Sequence, residues 1–390
     1  MIDWPVKTLD ALCDEGVVLL GRGNIISKKD IAENPGPYPI YSSARENEGK
    51  FGEYGAYMFN EEMITWSIDG GGRLFYRPKH KFSVTNVGGT LRVLKPEVLE
   101  IRYLYRALEN LHSQKVFDWV FKAHPSVIRK VYDKIPIPPL DEQQRIVALL
   151  DAATERVTEL TSCYEQARTH TNNIYISALA DLFEKCTVDA SAKQLSIGEI
   201  CEIGDGNHSS KYPKSSEFVA NGVPFIRANN ISNGKVSAKG LRFISEKKHN
   251  ELKKGHLRTG DVLITNRGEI GSLAIVGREF DGSNLNSQIA WLRVSDMVAN
   301  RYLYYFLGSP NAKAQFFQGT TGAALQQLTI SQLRKIRVPI VPLNTQKSLI
   351  EHLDKLKRKS SEMVSAYDVK LTAAKNLRQS ILEAAFTGEL

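Results

Sequence analysis

Apolar residues recur at alternating intervals of four and three in two stretches of the chain, one central and one C-terminal. The central series is Ile146, Leu150, Ala153, Val157, Leu160, Tyr164, Ala167, Thr171, Ile174 and Ala178. The C-terminal series follows at a constant offset of 203 residues: Leu349, Leu353, Leu356, Ser360, Met363, Tyr367, Lys370, Ala374, Leu377 and Ile381. This spacing is typical of coiled coils, because it keeps one narrow stripe of a helix facing a partner helix. It predicts two long helices, and we expect them to pair antiparallel.

The two stretches also begin and end alike, which indicates an internal duplication. Pro-Leu-x-x-Gln occurs at 139–143 and again at 342–346, and Phe183 is matched by Phe386. Two unrelated amphipathic helices, each packed on its own domain, would give a similar periodicity. They would not give a gapless register, so duplication is the favoured interpretation.

The rest of the chain carries short β-type runs, such as 63–66 and 261–265, broken by glycine, proline, asparagine and serine. Each β-rich segment also contains a tyrosine-rich helix, at 102–108 and 301–307. We therefore predict an α+β fold of two mixed α/β domains separated by two long helices, with an internal pseudo-twofold. The predicted boundaries are 1–139 for the first domain, 140–187 for the central helical spacer, 188–341 for the second domain and 342–390 for the C-terminal helical spacer.

Charge adds a candidate partner to this architecture. The net charge is +8, which favours a polyanion because lysine and arginine side chains release condensed counterions from phosphates. The four cysteines form no C-x-x-C pair, which argues against a disulfide framework or a zinc site. No stretch approaches eighteen apolar residues, and we expect a cytoplasmic protein without a membrane span.

The arrangement resembles the specificity subunit of type I restriction-modification systems over essentially the whole chain. The resemblance rests on the repeated Pro-Leu-x-x-Gln, on 328–333 before the second proline-containing strand, and on the C-terminal segment 377–390. It implies two target-recognition domains that bind a bipartite, asymmetric sequence in double-stranded DNA. It also implies two methylation subunits docked on the helices, with S-adenosylmethionine bound by them and no cofactor in this chain, and restriction subunits that can join them. The central copy has Leu182–Lys185 where the terminal copy has 385–388, so the two docking faces need not be equivalent.

Motifs for catalysis are absent from the sequence. There is no G-x-x-x-x-G-K-[ST] and no H-E-x-x-H, and the glycines at 70–72 lead into a β-type run instead of a helix that could hold a cofactor. We therefore predict a noncatalytic DNA-recognition subunit. One alternative is a two-lobed coiled-coil scaffold that binds proteins, and another is a self-contained methyltransferase or nuclease.

Candidate DNA-binding residues are the polar and basic residues of the predicted loops, because base edges and phosphates need exposed donors and cations. They are Ser43, Arg45, Arg73, Arg77, Lys79, Lys81, His208, Ser209, Lys211, Lys214, Arg227, Asn229, Asn230, Asn266, Arg267, Thr320, Thr321 and Gln326. The asparagines could instead close turns. Candidates for docking a partner on the helices are Gln143, Tyr164, Phe183, Gln346, Tyr367 and Phe386.

Overall fold

A computed structural model describes residues 4–43, 47–69, 71–112, 122–206, 212–316 and 327–387. The chain divides into two units. Unit 1 comprises Met1–Glu165 and Val369–Leu390, and unit 2 comprises Gln166–Asp368. Each unit therefore holds one β-rich segment together with a part of each long helix.

Unit 1 is built on a six-stranded mixed sheet. The strands of unit 1, six in this sheet and two in a separate pair, are β1 (Val6–Lys7), β2 (Val18–Arg22), β3 (Tyr38–Tyr41), β4 (Lys50–Tyr54), β5 (Phe59–Ser67), β6 (Leu74–Val84), β7 (Gly88–Val93) and β8 (Ile135–Pro136). The sheet order is β2-β7-β5-β6-β3-β4, and β1 pairs separately with β8. Neighbouring strands are antiparallel except β3 and β6, which run parallel.

The helices of unit 1 cover this sheet. They are α1 (Leu9–Asp14), α2 (Lys28–Glu33), α3 (Ile101–His112), α4 (Pro125–Val131) and α5 (Leu140–Val188), the last of which continues into unit 2. The hydroxyl of Thr8 accepts the amide N–H of Ala11 and so fixes the start of α1. Helix α3 is amphipathic and buries Tyr103, Leu104 and Leu108 in the core.

Unit 2 contains a second six-stranded sheet and a smaller four-stranded one. Its strands are β9 (Lys193–Ser196), β10 (Cys201–Asp205), β11 (Phe218–Val219), β12 (Val223–Ile226), β13 (Ile231–Ser232), β14 (Gly234–Val236), β15 (Arg242–Ile244), β16 (Val262–Thr265), β17 (Leu273–Ile275), β18 (Asn284–Leu285), β19 (Ile289–Val294) and β20 (Arg337–Ile340). The orders are β10-β19-β16-β17-β14-β13 and β11-β15-β12-β18, and β20 pairs with β9.

The helices of unit 2 pack mainly on the larger sheet. They are α6 (Ile197–Ile200), α7 (Glu246–Glu251), α8 (Asn300–Gly308), α9 (Pro310–Phe316), α10 (Ile330–Lys335) and α11 (Leu343–Thr387), the last of which continues into unit 1. Helix α8 is the counterpart of α3 and buries Tyr302, Leu303 and Phe306 in one cluster with the sheet. The prediction of an α+β fold with two domains is confirmed.

Antiparallel pairing of α5 and α11 is confirmed within each unit. In unit 1, Leu150 shares a core with Leu382, and farther along α5 the ring of Tyr164 lies 5.3 Å from the ammonium of Lys370. In unit 2, Arg168 pairs with Asp368 at 2.9 Å, and the following part of α5 packs against the preceding part of α11. The internal pseudo-twofold stays a prediction, which is supported by contacts that recur in both units.

The predicted packing stripe needs a correction at two positions of α5. Leu150 and Val157 are buried as expected, but Leu160 is 45% and Ile174 is 69% exposed. At these two positions the next residue packs instead, since Thr161 and Tyr175 are half-buried, whereas the predicted Ile146, Ala153 and Ala167 are buried or half-buried. In helix α11, Met363 and Leu377 are likewise 48% exposed, and Val364 after Met363 is half-buried.

Threonines make this register possible. The hydroxyl of Thr161 donates to the carbonyl of Val157 at 2.7 Å, and that of Thr171 donates to the carbonyl of Ala167 at 2.8 Å. A hydroxyl that bonds its own helix leaves only a methyl group to pack, so threonine can occupy an apolar position. Helices α5 and α11 are long but too polar to cross a bilayer, and the part of the chain that the structure describes contains no candidate membrane span.

Candidate nucleic-acid interface

The repeated Pro-Leu-x-x-Gln motif attaches each long helix to its own β-rich segment. In unit 1, Gln143 is fully buried, and its Oε1 accepts the N–H of Glu100 at 2.8 Å. Its Nε2 donates to the carbonyls of Val98 and Pro138 at 3.0 and 2.9 Å. The amide thus satisfies three backbone groups at the junction of α3 and α5.

Gln346 makes the same contacts in unit 2. Its Oε1 accepts the N–H of Ala299 at 2.9 Å, and its Nε2 donates to the carbonyls of Met297 and Val341 at 3.0 and 2.8 Å. Both glutamines are 0% exposed, and their contacts to the carbonyls of Pro138 and Val341 are buried with them. The repeated motif is therefore a structural anchor for the helix start.

A second pair of contacts repeats around the tyrosine-rich helices. Tyr103 donates its hydroxyl to the carbonyl of Pro136 at 3.0 Å and packs its ring 5.5 Å from Phe386. In unit 2 the equivalent Tyr302 donates to Pro339 and packs 5.3 Å from Phe183. The end of each long helix is thus held by the unit in which the other long helix begins.

These contacts correct the expected placement of three docking candidates. Gln143 and Gln346 use their amides within their own units, and Phe183 is 2% exposed, so none of the three lies on the surface. Tyr164, Tyr367 and Phe386 are half-buried. The exposed apolar residues of the helices are others, including Leu160, Ile174, Met363 and Leu377.

A cavity of about 470 Å³ with a mixed polar and apolar lining opens on unit 2. Its lining consists of Tyr212, Pro213, Ser215, Phe218, Arg227, Ala228, Asn229, Arg242, Asn286 and Gln288. The structure brings the predicted Arg227 and Asn229 together here. Arg242, Asn286 and Gln288 were not predicted from the sequence. The mostly polar segment 283–288, which lies between two β-type runs, could have indicated a loop with Asn286 and Gln288. We call this set of residues the unit 2 pocket.

The unit 2 pocket is positively charged and partly aromatic. The described residues that line it include two arginines and no carboxylate. The guanidinium of Arg242 lies 4.9 Å from the ring of Phe218, and the Nε of Arg227 is buried without a hydrogen-bond partner among the described residues. Burial raises the pKa of the Tyr212 hydroxyl, while Arg227 and Arg242 act in the opposite direction. Cations beside aromatic rings suit phosphates and nucleobases.

Two predicted residues near this pocket are interior instead of exposed. Asn230 is 0% exposed, and its amide bonds the N–H of Arg227 and the carbonyl of Lys239 at 3.1 Å each. Asn266 is 1% exposed. The expectation that both sit on accessible loops is corrected, and in Asn230 the short amide closes the chain's own backbone.

Arg267, also predicted from the sequence, is half-buried and faces Gln327. When the Gln327 amide is oriented to accept, its oxygen lies 3.1 and 3.2 Å from two guanidinium nitrogens of Arg267. The Gln327 amide therefore fixes the orientation of the Arg267 guanidinium.

Unit 1 presents a different surface, formed by β6 and the strands beside it. The ammonium of the exposed Lys81 lies 4.8 Å from the ring of Tyr57 and 5.5 Å from that of Tyr38. Tyr57 is 45% and Phe51 is 46% exposed. Lys79 is also exposed on the same strand. We call Tyr38, Tyr57, Lys79 and Lys81 the unit 1 surface.

Other candidates in unit 1 have mixed outcomes. Arg77 is 2% exposed and lies 3.6 Å from the ring of Tyr41, which corrects its expected placement on the surface. Burial lowers the pKa of its guanidinium. Ser43 is half-buried and donates its hydroxyl to the carbonyl of Val87 at 2.5 Å. Arg73 is exposed, with its guanidinium 5.2 Å from the ring of Phe75.

The remaining predicted residues are either exposed or outside the described part of the chain. Lys214 is exposed. The candidates outside the described residues are Arg45, His208, Ser209, Lys211, Thr320, Thr321 and Gln326.

Other clefts offer weaker chemistry. A groove of about 770 Å³ in unit 2 is lined by Lys253, Lys254 and Arg258 but also by Asp205 and Asp281, so its charge is mixed. Across the described residues no group of three histidines, cysteines or carboxylates is placed to hold a metal ion.

Comparison with protein families gives one match that spans most of the chain. The model of the type I restriction modification DNA specificity domain matches residues 1–166 and again 192–366. The two matches cover the two β-rich segments, each followed by a part of a long helix.

Similar proteins carry related descriptions. The MjaVIII type I restriction enzyme specificity subunit of Methanocaldococcus jannaschii is 25% identical over 327 residues, which are 78% of this chain and 75% of that protein. The EcoBI specificity subunit of Escherichia coli is 24% identical over 329 residues, covering 77% of this chain and 68% of that protein. A putative type I specificity subunit of Mycoplasma pneumoniae is 26% identical over 350 residues, covering 88% of this chain and 87% of that protein.

Solved structures share the fold. A chain from a study of the assembly of a type I restriction-modification system superposes with a TM-score of 0.76 at 21% identity, covering 99% of this chain and 98% of that one. The HsdS subunit from Thermoanaerobacter tengcongensis gives a TM-score of 0.50 at 20% identity, covering 96% of this chain and 97% of that one.

Proposed function

The chain belongs to the type I restriction-modification DNA specificity family, and we propose that it directs DNA methylation by binding a bipartite, asymmetric target. Specificity subunits are noncatalytic, and the catalytic activity lies in partner subunits. In this proposal each unit recognises one half-site in double-stranded DNA. A nonspecific spacer separates the half-sites.

One observation carries the proposal: equivalent anchors hold recognition surfaces that are not equivalent. Gln143 and Gln346 fix the helix starts by identical sets of hydrogen bonds. The surfaces attached to them differ, because the unit 2 pocket carries arginines and amides, whereas the unit 1 surface carries lysines among tyrosines. Duplicated supports with different surfaces suit a target with two different halves.

Methylation subunits would dock on the helices beside the packing stripe. The exposed pairs Leu160 with Met363 and Ile174 with Leu377 are related by the 203-residue offset. Exposed apolar residues repeated at equivalent positions are expected of two copies of one partner. In this proposal S-adenosylmethionine is bound by the methylation subunits, and restriction subunits can join the complex.

The DNA-binding part of the proposal is tested by selection from a random duplex library with the complex of this chain and its methylation subunit. We expect the selected DNA to contain two conserved blocks separated by a spacer of fixed length. Binding should weaken steeply between about 50 and 200 mM salt, because several phosphates are neutralised. Selection of a single continuous block, or of no motif, would contradict the proposal.

Docking is tested by charge insertion. Ile174→Glu and Leu377→Glu should each weaken capture of the methylation subunit, because a carboxylate would be buried against an apolar partner. Asn173→Glu and Asn376→Glu are matched controls, since both asparagines are exposed one position away on a different face of the helix. Equal binding by test and control variants would show that the partner docks elsewhere.

The same exposed apolar residues favour the alternative of a scaffold that binds proteins and not DNA. Alanine substitution of Arg227 and Arg267 distinguishes the two functions. Loss of DNA binding with retained partner capture supports specificity for DNA. A complex that never binds DNA, whichever variant is used, supports the scaffold.

A further inference from the structure

Gln288 presents a carboxamide at the mouth of the unit 2 pocket in an orientation that the protein fixes. The residue is exposed, whereas its neighbour Asn286 is 5% exposed. The Nδ2 of Asn286 donates to the Oε1 of Gln288 at 3.0 Å, and the N–H of Gln288 donates to the Oδ1 of Asn286 at 3.3 Å. An exposed glutamine that is held at both its backbone and its side chain has lost much of its rotational freedom.

The support behind this pair is also rigid. The N–H of Asn286 donates to the carbonyl of Ile226 in β12 at 2.9 Å, and the carbonyl of Gln288 accepts the N–H of Asn266 at 2.9 Å. Gly206 packs so closely that a Cβ there would lie 2.3 Å from the carbonyl oxygen of Asn286. The short connection between β18 and β19 is therefore fixed on several sides.

The free groups of the Gln288 amide define what it can bind. Its Oε1 accepts one bond from Asn286 and retains a second lone pair, and its Nε2 carries two donors. An amide acceptor beside an amide donor matches the N6 and N7 edge of adenine in the major groove. Arg227 and Arg242 lie in the same pocket and supply positive charge for the adjacent phosphates.

We propose that Gln288, positioned by Asn286, recognises one adenine in the half-site bound by unit 2. This inference rests on the proposed function and adds to it a specificity-determining residue and the base that it contacts. Asn286 is a positioning residue, because it acts through the amide of Gln288 instead of contacting the base.

The test is single-molecule methylation mapping in cells that express the methylation subunit with the wild-type chain or a variant. Gln288→Ala should relax one position of one half-site, lowering discrimination there by about 5- to 150-fold. Gln288→Glu should shift that position from adenine towards cytosine, because a carboxylate accepts from cytosine N4. Asn286→Asp keeps an acceptor for the backbone but loses the donor to Gln288, and it should relax the same position only.

Asn250→Ala is the matched control, since Asn250 is an exposed amide of unit 2 outside the pocket, and it should leave the motif unchanged. Unchanged methylation specificity at the half-site bound by unit 1 shows that each variant is folded. If the wild-type motif is bipartite but the Gln288 variants leave every position unchanged, or weaken all positions equally, the inference is wrong and the proposed function stands. If the wild type gives no bipartite motif, the proposed function itself fails.

Discussion

Replacement of Gln143 by methionine should destabilise unit 1 strongly. The side chains are similar in size and both favour helices, so the main loss is hydrogen bonding. Three backbone groups would lose their partner: the buried carbonyl of Pro138 and the partly buried N–H of Glu100 and carbonyl of Val98. An unsatisfied buried group costs about 1–3 kcal/mol and a partly buried one costs less, so we expect a total loss of about 3 kcal/mol.

Hydrogen–deuterium exchange at the start of α5, together with urea unfolding of the purified chain, measures this loss. A change of about 3 kcal/mol corresponds to a more than 100-fold rise in the opening equilibrium. Gln346→Met should have the same effect at the start of α11. Gln144→Met is the control, because Gln144 is exposed in the same helical turn. A loss no larger than that of Gln144→Met would refute the anchoring role.

Three further outcomes are expected. Lys81→Ala and Lys214→Ala should weaken binding to all DNA sequences alike and lower the slope of log K against log salt by about 1 each, as measured by fluorescence anisotropy. Seven residues inserted after Glu165 and seven after Asp368 should lengthen each helix by about 10.5 Å, and methylation mapping should then show a spacer longer by about three base pairs. Burial lowers the pKa of His112 below its ordinary value, so the unfolded chain binds the proton more readily, and stability should fall as the pH drops below about 6.5. Urea unfolding of His112→Gln between pH 7 and 5 should show a smaller decrease than the wild type.

The sequence predicted the duplication and the pairing of the helices because both depend on periodicity. It failed at two positions of the α5 stripe, where apolar Leu160 and Ile174 are exposed and Thr161 and Tyr175 pack instead. Hydropathy alone does not show that a threonine hydroxyl can bond to its own helix.

Candidate binding residues were harder to predict, because exposure depends on tertiary contacts. Arg227 lines the unit 2 pocket, as predicted for a basic loop residue. Arg77, in contrast, is buried beside the ring of Tyr41, and the side chain of Asn230 accepts a hydrogen bond from the backbone of its own turn. Gln288 was missed because only the fold shows that Asn286 orients it.

In the proposed function, this chain gives a methylation subunit its DNA specificity. Single-molecule mapping of methylated bases in cells that express both subunits, compared with cells that express either alone, tests that claim directly. We expect a two-part motif with a fixed spacer that appears only when both subunits are present. The same motif from the methylation subunit alone, or no motif despite a stable complex, would contradict it.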